Sequence, residues 1–446
     1  MREGSLEAPT RHPIPWQTPD FTDPAKIEAE LRRVFDICHG CRRCFNLCES
    51  FPTLFDLIDA SPTGELDGVA SADFKPVIDG CTLCDMCFMT KCPYVPPHAF
   101  DLDFPHLMLR HRAMEAAQGR LGFAERQLAA TDRNGKLAGA VAPLANWATD
   151  RANAATRGLL ARVADLDPRA ALPKYHAASF VSAAAKAPPP VNRDAPGFGR
   201  KAVIYATCFV NYNDPDMGAA ARAVLAKNGV ETEVVHPHCC GMPLLEQGRI
   251  GEVADAARQV AAALGTWIDQ GYDIIALVPS CALMLKFEWP LILPDDAAVK
   301  RLSGATFDIS EYVVDIARKQ GLAPGMTPIP GGVAVHLACH ARAQNMGQKA
   351  AELLRLLPGT EVTVIERCSG HGGSWGFKRA HFDAALKFGR PAARQAAGSG
   401  RGFVASECPL AGVHIAQGME TLDDAAQHPT LAGHPIQLLA KAYGLA

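Results

Sequence analysis

Cysteine is the residue type in this chain whose placement could do chemistry, and eight of the fifteen cysteines fall between residues 38 and 92. Cys38, Cys41, Cys44 and Cys48 are spaced C-x2-C-x2-C-x3-C. Cys81, Cys84, Cys87 and Cys92 repeat the run as C-x2-C-x2-C-x4-C, with Pro93 behind it. Three thiolates at successive three-residue steps each reach a different iron of one iron-sulfide cubane. The fourth iron takes a cysteine from elsewhere, which in chains with two such runs comes from the other run. This crossover predicts one 4Fe-4S cluster on Cys38, Cys41, Cys44 and Cys92 and a second on Cys81, Cys84, Cys87 and Cys48. Zinc also takes four thiolates, but its sites pair C-x2-C units across a longer gap. Glu49 stands where a proline would follow Cys48, and one extra residue precedes Cys92; neither departure removes a ligand. Arg42, Arg43 and Lys91 flank the ligands, where positive charge would raise a reduction potential or steer an acidic partner. The plainer reading of these cations is solvated surface side chains.

The other seven cysteines begin at residue 208 and recur in two passes. In the first pass, AVIYATC (202–208) reads as a buried strand ending at Cys208 and residues 216–228 as a helix. TEVVHP reads as a strand leading to His238-Cys239-Cys240-Gly241, residues 247–270 as a long helix, and DIIALVPSC as a strand ending at Cys281. In the second pass GVAVHLAC ends at Cys339, TEVTVIERC at Cys368 and GFVASEC at Cys408. The passes are offset by 131 residues at their first cysteine and 127 at their last, an internal repeat. Each pass thus delivers cysteines to the C-terminal edge of an α/β sheet, the edge where ligands bind. Gly241 and Gly370 follow the central cysteines, where a close backbone approach to a cofactor needs residues without Cβ. The first half offers Cys208, Cys239, Cys240 and Cys281, a complete thiolate set for a further iron-sulfur cluster; the alternative is four small buried hydrophobes. The second half offers only Cys339, Cys368 and Cys408, with Ser369 at the position of Cys240. His340 or His371 could complete that set, because imidazole can replace thiolate on iron. The alternative is an ordinary hydrogen-bonded histidine.

The elements that must hold these thiols are mixed. Between the two N-terminal runs, Phe51, Leu54, Phe55, Leu57 and Ile58 follow largely helical spacing, so this region is expected to be mainly α-helical. Residues 103–120 predict a helix leading out of it. From 136 to 166 the chain is Ala-rich, with Leu137, Val141, Leu144 and Trp147 on one helical face and Arg151, Arg157 and Arg162 after them. That face could lie in a membrane interface, or pack on the protein's own domain or on a subunit, and Pro143 is expected to kink the helix. Pro188, Pro189 and Pro190 mark a linker, and residues 324–332 a second one. The expected division is an N-terminal extension (1–34), a two-cluster domain (35–115), a helical connector and linker (116–198), and two cysteine-rich α/β halves (199–323 and 324–446).

Composition closes off other classes. The chain has 446 residues, with 44 Lys and Arg against 47 Asp and Glu, a net charge of -3 and no long basic run, which argues against a nucleic-acid partner. Its 48% hydrophobic content excludes collagen-like and disordered chains. The opening stretch has no charged-then-apolar secretory pattern, and no 18 apolar residues run uninterrupted. A cytoplasmic protein, or one peripheral on the cytoplasmic face of the inner membrane, is therefore expected. In a reducing compartment the cysteines are expected to bind metal, with no disulfide-linked partner. No Gly-rich strand-to-helix fingerprint for flavin or nicotinamide is present, so any cofactor that accepts hydride is expected on a partner.

Beyond the two cysteine runs, the chain carries LPKYHAASF at 172–180, HCCGMP at 238–243 and CSGHGGSWGFK at 368–378. On these segments, from about residue 36 to its end, it resembles the heterodisulfide-reductase-related iron-sulfur proteins with twin cysteine-rich CCG domains, of the kind found in anaerobic glycerol-3-phosphate dehydrogenase as its C subunit. The resemblance implies an N-terminal, mainly α-helical ferredoxin domain with two 4Fe-4S clusters, followed by a pair of pseudo-symmetric α/β CCG domains. It implies an electron-transfer subunit with no catalytic residues of its own, passing electrons from a flavoprotein dehydrogenase subunit toward the quinone pool or another membrane-associated acceptor. Three other readings stand beside it: a glycolate or lactate oxidase iron-sulfur subunit, a thiol-disulfide or quinone reductase working through Cys239 and Cys240, and a cluster-free docking scaffold. Met284 and Ala411 stand where the family's closing C-x2-C would end. With Ser369, these losses argue against the five-cysteine non-cubane cluster and against disulfide reduction.

Overall fold

The structure, a computed structural model, describes residues 7–422 and 428–445; the first six residues of the expected extension lie outside the described residues. The helix Pro24–Cys41 opens on Asp23, whose side chain accepts from the Lys26 N–H, and closes on Arg42 in the left-handed conformation (φ 51°). It buries Ile27, Leu31, Val34 and Phe35 and packs on the helices Ser50–Asp59 and Phe104–Ala117. The last of these is capped by Asp103, which accepts from the His106 N–H. The expected boundary after residue 34 falls inside the first helix, and the segment ahead of that helix is tied to the first α/β half. The Ile14 N–H donates to the Leu291 carbonyl (2.8 Å) and Trp16 Nε1 to the Ile292 carbonyl (2.9 Å). Arg11 pairs with Asp85 (2.8 Å), Asp103 (2.7 Å) and Glu288 (3.2 Å) across the same seam.

The Ala-rich segment with a helical face and an expected kink at Pro143 forms three helices: Thr131–Ala140, Ala142–Thr149 and Ala154–Val163. The chain breaks at Val141 (φ -126°, ψ 35°). Pro143, expected as a kink, sits in the first turn of the second helix, where its missing N–H costs nothing. Leu137, Val141, Leu144 and Trp147 remain between 50% and 65% exposed, so the chain's own domains leave this face uncovered. Arg157 behaves differently: it is buried and donates to the carbonyls of Asp167 and Ala170 (2.7 Å each).

Two four-stranded parallel sheets follow. Strands β1 (Lys201–Tyr205), β2 (Glu231–Val235), β3 (Asp273–Ala276) and β4 (Thr306–Asp308) lie in the order β2-β1-β3-β4. Strands β5 (Val333–His336), β6 (Val362–Ile365), β7 (Phe403–Ser406) and β8 (Thr430–Leu431) repeat that order as β6-β5-β7-β8. The central strands are near-continuous runs of buried Ala, Val and Ile, as parallel strands covered on both faces must be. In each sheet the chain leaves the first strand toward one side and returns for the third on the other. That reversal opens a crevice beyond the strands' C-terminal ends. The three- and two-residue edge strands β4 and β8 were not expected.

Candidate functional site

The N-terminal thiols fall into two groups. Burial pushes Cys38 well above its ordinary range, and the neighbouring thiols Cys92, Cys44 and Cys41 push it further. Burial, with Cys92 and Cys41, pushes Cys44 up to about 12, opposed by Lys91 and Arg43. Cys48 is raised by burial and then by Cys84 and Cys81, and Cys87 by burial and then by Cys84, Cys81 and Cys48. Cys92 thus acts on Cys38 and Cys44 of the first run, and Cys48 on Cys87 of the second, while Cys44 also acts on Cys87. Arg42 is spent on Asp59 (2.9 Å), so the cations that act on the first group are Lys91 and Arg43. Leu83 (φ 49°) and Asp85 (φ 62°) bend the Cys81–Cys87 loop through left-handed backbone, and Arg11 pins Asp85.

None of the seven later cysteines lies on a strand. The strands stop short, and a turn or a short helix carries each thiol over the sheet edge. Cys208 and Cys339 begin the helices Cys208–Tyr212 and Cys339–Ala343, Cys281 lies inside Pro279–Leu283, and Cys408 precedes Pro409–Met419. In the first half Cys208 and Cys239 stand 3.7 Å apart at sulfur, and Cys240 and Cys281 3.2 Å apart. Two residues of the connector, invisible to sequence reasoning because they lie more than a hundred positions upstream, complete this site. The Thr131 hydroxyl donates to Cys239 Sγ (3.3 Å), and Asp132 accepts from the Cys239 N–H (2.8 Å) while facing His236 Nε2 (2.6 Å). Hydrogen bonding with Cys208 and Cys240, and from Thr131, holds the Cys239 thiol well below its ordinary range, whereas Cys208 and Cys240 are pushed well above theirs.

In the second half burial raises Cys339, Cys368 and Cys408. Cys368 is open to the cavity although protein surrounds it. The thiol neighbours of Cys339 are Cys84, Cys368 and Cys408, and Cys281 acts in turn on Cys408. The CSGHGG box is wedged between the other two regions. A Cβ at Gly372 (φ +56°) would overlap Thr82, beside Cys81, and one at Gly373 would overlap the Glu246 carboxylate. One cavity of about 1010 Å³ is lined by all seven C-terminal cysteines together with Cys84. Glu246 also lines it, and burial pushes its carboxyl up to about 7.

Of the histidines at this cavity, His336 is fully engaged, with Nδ1 on Ser406 Oγ (2.9 Å) and Nε2 on the Arg367 carbonyl (3.0 Å). His340 Nε2 is bonded to the Leu83 carbonyl (3.2 Å). His371 is buried, and neither of its ring nitrogens has a partner. Among the described residues no three His, Cys, Asp or Glu side chains converge on a point that one metal ion could occupy. Groups of thiols set around a larger space fit polynuclear iron-sulfide, each of whose irons takes one ligand.

A family model for the cysteine-rich CCG domain matches residues 202–286 and again residues 333–416. The chain is 28% identical over 327 residues to the C subunit of anaerobic glycerol-3-phosphate dehydrogenase from Escherichia coli (strain K12), covering 71% of this chain and 76% of that protein. It is 28% identical over 228 residues to the B subunit of fumarate reductase (CoM/CoB) from Methanothermobacter marburgensis, covering 50% of this chain and 43% of that protein. It is 25% identical over 189 residues to lactate utilization protein A of Bacillus velezensis, covering 40% of this chain and 76% of that protein. The first match spans β1–β3 with Cys208, Cys239, Cys240 and Cys281; the second spans β5–β7 with Cys339, Cys368 and Cys408. The C-terminal half of the chain is therefore a pair of CCG cysteine-rich domains, each built on its own parallel sheet.

Proposed function

We propose that this chain is the iron-sulfur electron-transfer subunit of an oxidoreductase complex. Its donor is a flavoprotein dehydrogenase subunit of the anaerobic glycerol-3-phosphate dehydrogenase type, and its acceptor is the quinone pool. The observation that carries the reading is the single cavity that joins Cys84 of the N-terminal runs to the cysteines of both CCG domains. Cys38, Cys41, Cys44 and Cys92 would hold one 4Fe-4S cluster, Cys81, Cys84, Cys87 and Cys48 a second, and Cys208, Cys239, Cys240 and Cys281 a further one. Bound clusters supply one-electron transfer. The chain's own residues position them: Cys81 and Cys87 are buried in the same core as Phe35 and Phe51, and Thr131 and the Gly241 N–H direct hydrogen bonds at Cys239. The thiol groups follow one another in space from the N-terminal runs to the second CCG domain and then to the first, as the neighbours of Cys84, Cys339 and Cys408 indicate.

Anaerobic purification with iron and sulfide quantified, then electron paramagnetic resonance (EPR) during a reductive titration, tests this. The N-terminal runs alone should contribute about eight irons per chain. Cys38→Ser and Cys81→Ser should each abolish one of two interacting signals; signals that survive both substitutions would refute the assignment.

Apposition to a membrane belongs to the same proposal. Among the described residues no helix is long and apolar enough to cross a membrane. The connector nevertheless exposes Leu137, Leu144, Trp147, Leu159 and Val163 on helices that also carry the exposed cations Arg133, Lys136 and Arg162. An apolar face with an interfacial Trp and flanking cations suits the surface of an anionic bilayer. The full chain should sediment with phosphatidylglycerol vesicles and should be released by Trp147→Glu. Equal sedimentation of both would remove this part of the proposal.

A further inference from the structure

Within the iron-sulfur reading, on which it rests, we infer that His371 is the fourth ligand of the second CCG domain. With Cys339, Cys368 and Cys408 it makes a site of three thiolates and one imidazole for a four-iron cluster. All four side chains line the same cavity. His371 is only 4% exposed, yet both ring nitrogens lack a partner. Leaving a buried polar group unpaired costs about 1–3 kcal/mol, and native structures rarely carry that cost without a use for the group.

The other two histidines at the cavity have ring nitrogens engaged elsewhere. Both nitrogens of His336 are hydrogen-bonded, and His340 Nε2 faces the Leu83 carbonyl. Ser369, which occupies the position of Cys240, accepts the His371 N–H at its hydroxyl (3.4 Å). His414 is also buried, with Nε2 unpartnered, and its ring lies 6.2 Å from that of His371, but it does not line the cavity. The His371 ring packs edge-on against Phe377 (4.9 Å), and its carbonyl accepts from the Gly376 N–H (2.9 Å), so the backbone on both sides of the ring is held. Gly370 (φ +77°) provides the turn that brings His371 to this place three residues after Cys368, since a Cβ there would strike the Ala385 carbonyl.

The substitution has an electronic consequence. A neutral imidazole in place of a thiolate leaves the site one negative charge lighter, which raises its potential relative to an all-thiolate site, as histidine ligation does in other iron-sulfur centres. The second CCG domain is then a complete site of different potential, between Cys84 on one side and Cys281 on the other, and not a remnant of the first.

The test uses the full chain, purified anaerobically, with iron per chain and pulsed EPR for nitrogen coupling, in wild type, His371→Ala, His371→Cys, His340→Ala and Ser369→Ala. His371→Ala should lose about four irons and the nitrogen coupling. His371→Cys should keep the iron, lose the coupling and shift that centre to a more negative potential, which keeps the test decisive if the alanine variant fails to fold. His340→Ala and Ser369→Ala should keep both iron and coupling. Unchanged iron and coupling in His371→Ala, loss of the coupling in His340→Ala or Ser369→Ala, or a wild type with no nitrogen coupling would each overturn the assignment. Failure of the wider relay reading shows separately, as the absence of the signals that Cys38→Ser and Cys81→Ser should remove.

Discussion

The two CCG domains share a strand order and a spacing of cysteines, yet they treat their thiols differently. In the first, four thiols sit in two close pairs, and the connector helix contributes Thr131 and Asp132 to hold Cys239. In the second, Cys339 and Cys368 neighbour Cys84 of the N-terminal runs while Cys408 neighbours Cys281, and the backbone of the CSGHGG box is pressed against Thr82 and Glu246. A repeat therefore preserves the scaffold while the site diverges. The first domain looks toward the connector, through Thr131, and the second toward the N-terminal cysteines, through Cys339 and Cys84.

That contrast can be broken in four ways. The largest effect is expected from Cys240→Ser, which should remove about four irons from the first domain and stop electron delivery from a reduced donor to a quinone analogue. Ser369→Cys, at the matching position, should leave the first-domain iron in place. Equal losses in the two variants would mean that the halves are not distinct. Next come the paired glycines. A Cβ at Gly370 would strike the Ala385 carbonyl, whereas one at Gly241 (φ +81°) meets Val253 at an ordinary 3.4 Å. Gly370→Ala should cost about 3 kcal/mol or more and Gly241→Ala about 1 kcal/mol, read from urea midpoints of the anaerobic protein.

The third effect lies at the junction of the two domains, where burial raises the Glu246 carboxyl from 4.5 to about 7. The folded state favours the neutral acid, so it binds the proton more tightly than the unfolded chain does. Stability from this group is complete below pH 4.5 and is lost as pH rises through about 7. Glu246→Gln should flatten that part of the stability profile, by about 3 kcal/mol at its upper end; an unchanged slope would show that another group titrates there. The smallest effect belongs to Thr131→Val, which removes the hydroxyl on Cys239 and should cost about 1 kcal/mol in the first domain. It should leave the EPR signature of the second domain untouched.

Much of this site was legible in the sequence because its determinants are local. The three-residue steps in both N-terminal runs and the buried Val/Ile/Ala strands lie within short windows, and the repeat shows because the same short strand-and-cysteine pattern recurs 131 and 127 residues later. The edge strands β4 and β8 escaped because two or three residues carry no period. Pro143 was legible as a break but not as a helix start, since that depends on where Val141 turns. Thr131, Asp132 and the Arg11 strap escaped for a different reason. Their partners Cys239, Asp85 and Glu288 are brought to them only by the folded chain, and no local pattern marks a hydroxyl that will meet a sulfur 108 positions away. The uncovered connector face was equally undecidable, because packing and exposure give the same helical spacing.

The proposed relay depends most directly on the crossed grouping of the N-terminal thiols. One measurement addresses it: the EPR spectra of the reduced full chain carrying Cys92→Ser or Cys48→Ser. Cys92→Ser should abolish the same signal as Cys38→Ser, and Cys48→Ser the same signal as Cys81→Ser. If Cys48→Ser instead removes the Cys38 signal, or if both signals survive both substitutions, the two crossed four-thiolate sites do not exist as described.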